Sequence, residues 1–270
     1  MWQIELLWLL SYAALGVFTG FFAGLLGIGG GLIMVPVLSL LFQAQGFDPA
    51  QVLHLALGTA MAAIVFTAVA SVRTHDQHAA VRWDLVRTIT PGILLGTALG
   101  TVIARHVPTR ELALFFAAFP LLVAVQMALN LKPAAHRQLP GRLGQSAMGL
   151  LIGTLSSLVA IGGGALSVPY LTWCNVPMHR AIGTSAAIGI PIAIGGTLGY
   201  IANGLHAGSL PALALGFVYL PALVGLIAAS MLTAPLGART AHRLPVATIK
   251  RIFSLVLVAL AVKMVFGLLG

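Results

Sequence analysis

Apolar runs with almost no charge cover most of this chain: 6–27, 31–42, 52–72, 85–104, 112–131, 146–161, 164–174, 181–202, 211–236 and 247–269. Crossing a bilayer takes about 20 apolar residues of helix, and backbone groups inside it must bond to one another. So many long runs predict an all-α polytopic membrane protein. Only 7% of the 270 residues are charged, against about 25% in a soluble domain, so lipid must be the solvent for most of the surface. The net charge of +9 does not point to nucleic acid. Its basic residues sit in short stretches between apolar runs, the pattern of loops held against a membrane, rather than on one folded face. Glu5 stands where a secretory leader would carry Lys or Arg, so the first run is read as a retained span. The single cysteine, Cys174, excludes an intrachain disulfide and is expected as a small apolar filler near a span end.

Two of the runs, 31–42 and 164–174, are too short to cross. Each follows a triple glycine, Gly29-Gly30-Gly31 or Gly162-Gly163-Gly164, and glycine both weakens a helix and permits unusual dihedrals. These breaks belong to an internal repeat. Gly16, Gly20, Ile28 to Gly31 and Val35-Pro36 match Gly149, Gly153, Ile161 to Gly164 and Val168-Pro169 at a constant offset of 133 residues. Further on, Gly58-Thr59-Ala60 matches Gly183-Thr184-Ser185, and Arg105 to Pro108 resembles His242 to Pro245. The chain divides into a first membrane repeat, 1–131, a linker, 132–144, and a second membrane repeat, 145–270.

Charge decides how the repeats are oriented. If each interrupted segment crosses once, the halves are parallel and basic residues divide almost evenly between the two sides. If it enters and returns, or crosses twice, the halves are inverted. Arg73, Arg82, Arg87, Lys132, Arg137, Arg142, Arg180, Arg239, Arg243, Lys250 and Arg251 then share one side, against Arg105, Arg110 and Lys263 on the other. Cytoplasmic loops are rich in Lys and Arg. This favours two inverted-topology repeats with glycine-broken or re-entrant helices, a cytoplasmic linker and both termini outside, in a cell inner membrane. Interrupted helices between inverted repeats form the binding sites of many transporters.

The expected substrate is a small anion. Irregular backbone at membrane depth must face protein or a water-filled cavity. The short helices that follow the breaks begin with free N–H groups and roughly half a positive charge. Two such ends form an anion site without a buried lysine or arginine. The candidate binding residues are therefore Gly29, Gly30, Gly31, Gly162, Gly163 and Gly164. Thr59, Thr184 and Ser185, which are read as starting the span after each break, supply hydroxyl donors. The competing structural roles are close helix packing for the glycines and capping or back-bonding for the hydroxyls. Ser156 and Ser157, where the first half has Ala23 and Gly24, would make the site asymmetric. Arg73, His75, Asp76 and His78 are read as a solvated loop anchored to headgroups, with an anion-gathering funnel as the alternative. His75 and His78 lack a third and fourth metal ligand. Lys263 is expected to snorkel to the interface.

The acidic residues Glu5, Asp48, Asp76, Asp84 and Glu111 all fall at span ends or in loops, which argues against carboxylate-based proton coupling and a cation substrate. No nucleophile–base pair, P-loop or metal cluster points to an enzyme, and no cofactor or metal is expected. The segment Gly20 to Pro36, its repeat Gly149 to Pro169, the stretches around Gly58-Thr59 and Gly183-Thr184, and Gly237 to Pro245 together resemble the TauE/SafE family of sulfite exporters. That resemblance implies a permease for sulfite, sulfoacetate, arylsulfonates or related organosulfur anions. An anion-binding accessory or sensory protein, or an ion-coupled uptake permease, is the alternative. The chain departs from a symmetric pattern at Gly27, which is Ala160 in the second half, and in its charged loop at 73–87 against a neutral one at 201–210.

Overall fold

The computed structural model describes residues 2–27, 29–128, 138–243, 254–255 and 258–259. The expected span over 247–269, with Lys263, lies almost wholly outside these residues, as do residues 132–137 of the linker. The described elements are α1 (Trp2–Leu26), α2 (Gly31–Ala44), α3 (Pro49–Gln77), α4 (Trp83–His106), α5 (Thr109–Ala128), α6 (Arg142–Leu158), α7 (Gly164–Trp173), α8 (Met178–Gly204), β1 (Ala214–Leu215), β2 (Val218–Tyr219) and α9 (Leu220–Ala241). Five helices among the described residues are long and apolar enough to cross a membrane: Glu5–Leu26, Pro49–Gln77, Trp83–His106, Met178–Gly204 and Leu220–Ala241. The fold is therefore that of an all-helical, multi-pass membrane protein.

Local chemistry sets the element ends. The Asp48 carboxylate accepts from the Ala50 N–H and Pro49 fills the first turn, so α3 starts there. The apolar run 211–236 is not one helix. Gly216 takes a left-handed backbone (φ 54) in a two-residue hairpin, β1 pairing with β2, and α9 begins only at Leu220, with Pro221 in its first turn. Short helices follow both breaks. At 1.5 Å per residue, α2 and α7 reach only about 21 Å and 15 Å into a hydrocarbon core about 30 Å thick.

Helix α3 lies at the centre, its apolar window 83% buried against 33% for α9. It packs on α8, and this pair is flanked by α1 against α9 and α4 against α6. The packing is reciprocal between halves: the first helix of each runs along the last described span of the other. Glycines allow the close approach. A Cβ on Gly24 would overlap the Ala234 carbonyl, and one on Gly237 the Phe21 carbonyl, joining α1 to α9. Gly92 and Gly96 of α4 meet the Ser146 and Leu150 carbonyls of α6 in the same way. The outward faces carry Leu95, Leu99 and Val102 of α4 and Val224, Leu232 and Leu236 of α9, all exposed, as a lipid-facing surface requires.

Candidate functional site

The first break runs from the end of α1 to Gly31. Gly27 (φ 69), Gly29 (φ 78) and Gly30 (φ 79) all hold left-handed backbone, which costs an L-residue about 1–2 kcal/mol. The second break differs. Its left-handed residue is Ala160 (φ 45), the counterpart of Gly27, whereas Gly163 is right-handed (φ −48, ψ −28). Gly163 is required for space instead: a Cβ there would lie 2.5 Å from the Ser185 carbonyl oxygen and 3.2 Å from its Oγ.

The two breaks touch. A Cβ on Gly29 would sit 2.8 Å from Gly162 Cα and 3.0 Å from its nitrogen, and one on Gly31 would overlap the Ala160 carbonyl. Beside the contact is a cavity with about 10 Å³ open to the centre of a water molecule, room for about one water. Gly27, Gly29, Gly162 and Gly189 line it, together with Thr67 and Ser71 of α3. The α2 and α7 ends start here. Ile33 and Met34 donate to the Gly30 carbonyl, and Ser167 donates to that of Gly163. The N–H groups of Gly31 and Leu32, and of Gly164 to Leu166, precede the first helical bonds.

Several buried hydroxyls surround the breaks. Ser71 Oγ faces the cavity and makes no hydrogen bond within the protein, and neither do Ser156, Ser167 and Ser185 Oγ. Thr67 bonds back to the Ala63 carbonyl and to Ser230 Oγ, both at 3.0 Å. Of the residues expected from sequence, Gly29 meets Gly162 and Gly163 meets Ser185, while Gly31 packs on the Ala160 carbonyl. Gly30 packs on the Thr19 carbonyl, and Gly164 opens α7.

Thr59 and Thr184 lie elsewhere. Neither starts a span; both are buried well inside α3 and α8. Thr59 Oγ1 accepts from the Tyr219 N–H at 2.9 Å, and Thr184 Oγ1 accepts from the Arg82 N–H at 3.0 Å. Tyr219 precedes α9 and Arg82 precedes α4. Each threonine thus holds the start of a helix from the opposite half. Ser71 and Thr67 were missed because nothing in their spacing sets them apart from other small residues of α3.

The polar cluster after the second long span also differs from the expected loop. Arg73 to Gln77 form the last turn of α3, and His75 is 1% exposed. His179 and His242 stack beside His78. Among the described residues no group of three or more His, Cys, Asp or Glu is arranged to hold a metal ion.

Short, glycine-capped helices that meet inside a bundle of apolar spans, beside a small cavity, describe a multi-pass membrane protein. The sulfite exporter TauE/SafE family profile matches residues 12–264, and the chain belongs to that family. It is 36% identical over 251 residues to a probable membrane transporter protein of Haemophilus influenzae, covering 92% of this chain and 95% of that one. It is 23% identical over 238 residues to the probable membrane transporter protein YdhB of Bacillus subtilis, covering 86% and 89%. No solved structure matches the chain. The protein is a membrane transporter rather than an enzyme.

Proposed function

We propose that the protein is a permease for a small anion, sulfite or an organosulfonate, built as two inverted-topology repeats in a cell inner membrane. The carrying observation is the contact between the two breaks beside buried, unpartnered hydroxyls. Free N–H groups at the starts of α2 and α7, with Ser71 and Ser185, supply donors to an oxyanion. All five carboxylates of the chain lie at or near helix ends, away from the cavity lining, so nothing there repels an anion. Thr59 and Thr184 serve as ties between halves rather than as ligands. A sulfur oxyanion is larger than one water, so the two breaks must part to admit it, and the arrangement seen is closed around the site.

The charge distribution supports a cytoplasmic linker and both termini outside. With the cell interior negative, one negative charge gains about 2.3 kcal/mol per 100 mV on leaving. Export then needs no coupled ion. The test is potential-driven sulfite and sulfonate flux in proteoliposomes without a sodium or pH gradient. Flux that falls about ten-fold or more in Ser71→Ala and Ser185→Ala, in protein that still folds, supports the site. Equal flux in the wild type and in a Gly30→Ala/Gly163→Ala double variant overturns the site, and sodium-dependent flux overturns uncoupled export.

A further inference from the structure

The repeat in the sequence returns as a repeat of contacts. A Cβ on Gly16 or Gly20 of α1 would meet the Leu226 or Ser230 carbonyl of α9. One on Gly149 or Gly153 of α6 would meet the Ile89 or Ile93 carbonyl of α4. These are counterparts in the registers that match Gly16 with Gly149 and Arg105 with His242. The breaks follow the same rule. A Cβ on Gly29 would lie 3.1 Å from Ile64 Cγ2, and one on Gly189, the counterpart of Ile64, 3.8 Å from Gly162 Cα. The cavity departs from the rule. Thr67 and Ser71 of α3 and Ala186 of α8 line it, and Thr67 bonds to Ser230. In the register of Thr59 with Thr184, their counterparts are Ile192, Gly196 and Met61, and that of Ser230 is Ile93. The hydroxyls are gone, and the small Ala186 is replaced by a fully buried methionine.

The Met61 side chain fills the place that matches the cavity. A Cβ on Gly196 would lie 3.0 Å from Met61 Cε and Sδ and 3.1 Å from its Cγ, so the thioether lies over a residue with no side chain. Helices α3 and α8 run antiparallel here. Met61 meets Gly196, and further along α3 Ala68 meets Gly189, whose own Cβ would be 3.9 Å away. Ala186 and Gly196 are therefore separated by about 15 Å along α8, with Gly189 and the Gly29–Gly162 contact between them. The cavity and Met61 sit on opposite sides of the breaks along one seam.

We propose that Met61 is a plug in the second, repeat-related arm of the anion path, an inference that rests on the permease reading. An anion that leaves the breaks on one side passes Thr67 and Ser71. On the other side it meets the thioether on Gly196. In the orientation proposed above, that side faces outward, so Met61 holds the outer arm shut while the inner arm keeps its small polar cavity. Methionine is unbranched and turns about three side-chain bonds, so it can swing off Gly196 without moving a helix. The glycine at 196 leaves the plug its seat, and the alanine at 186 leaves the matching seat empty.

The test is thiol labelling of the full chain in lipid vesicles, with Cys174→Ala and Gly196→Cys as the background and a charged methanethiosulfonate as the probe. Labelling at position 196 should be slow while Met61 is present and about ten-fold or more faster with Met61→Ala. Met61→Leu, which keeps the volume, should stay slow, and Met61→Val should fall between. Equal rates across the series, fast or slow, overturn the plug. A second arm keeps Gly196 and follows methanesulfonate flux, which should rise about five-fold with Met61→Ala when opening limits the rate. Wild-type flux that Met61→Ala leaves unchanged overturns the plug and leaves the permease reading standing. Faster labelling without flux of any sulfur anion supports a plugged water path and counts against that reading.

Discussion

At the residue scale, Gly27 and Ala160 occupy matching places in the two breaks and hold the same left-handed backbone, but only one has a side chain. Strain at Ala160 amounts to about 1–2 kcal/mol, and a glycine there would lose about 0.5–1 kcal/mol through its greater unfolded-state freedom. Ala160→Gly should therefore be neutral or stabilising by up to about 1 kcal/mol. Gly27→Ala is expected to destabilise by about 1–3 kcal/mol, since its Cβ would also approach the Ile182 carbonyl to 2.9 Å. Thermal unfolding of the two variants in one detergent checks the asymmetry; equal losses would contradict it. Sequence comparison shows the Gly-to-Ala departure, but it does not show that the backbone conformation survives the change. That depends on packing from α2 and α8, which no local pattern encodes.

At the element scale, the reciprocal pairs α1–α9 and α4–α6 depend on glycine. Lipid is as apolar as leucine, so helices gain from close backbone contact rather than from hiding apolar surface. Gly92→Leu drives a side chain into the Ser146 carbonyl and should cost about 3 kcal/mol or more. Leu95→Ala on the exposed face of the same helix should cost under about 1 kcal/mol. Thr59→Val and Thr184→Val each strand one partly buried N–H, for about 1 kcal/mol or more apiece, and denaturant unfolding in mixed micelles ranks all four. The spans, both breaks and the matched small residues were legible because they rest on hydropathy and repetition. The partner of each glycine stripe was not, since spacing marks a face without naming the helix from the other half that meets it. The 214–219 hairpin was hidden for a related reason. Its apolar residues continue the hydropathy of α9, and only Gly216 against the Ile201 carbonyl forces the turn.

At the scale of the whole molecule, the membrane potential and any coupled ion make separable contributions to transport. The potential alone fixes the final distribution of an uncoupled anion. A coupled proton would enter the driving force and shift that distribution. With 100 mV across proteoliposomes, an uncoupled monovalent anion should therefore settle at an outside-to-inside ratio of about fifty-fold, the equivalent of 2.3 kcal/mol. The ratio should be the same at pH 7.5 and pH 5.5. Following labelled methanesulfonate to its plateau at both pH values, and again with a pH gradient imposed, measures rate and endpoint in one experiment. A plateau that follows the pH gradient would make transport proton-coupled. A plateau fixed by the potential alone leaves the charge of the anion itself as the driving force on a path through the paired breaks.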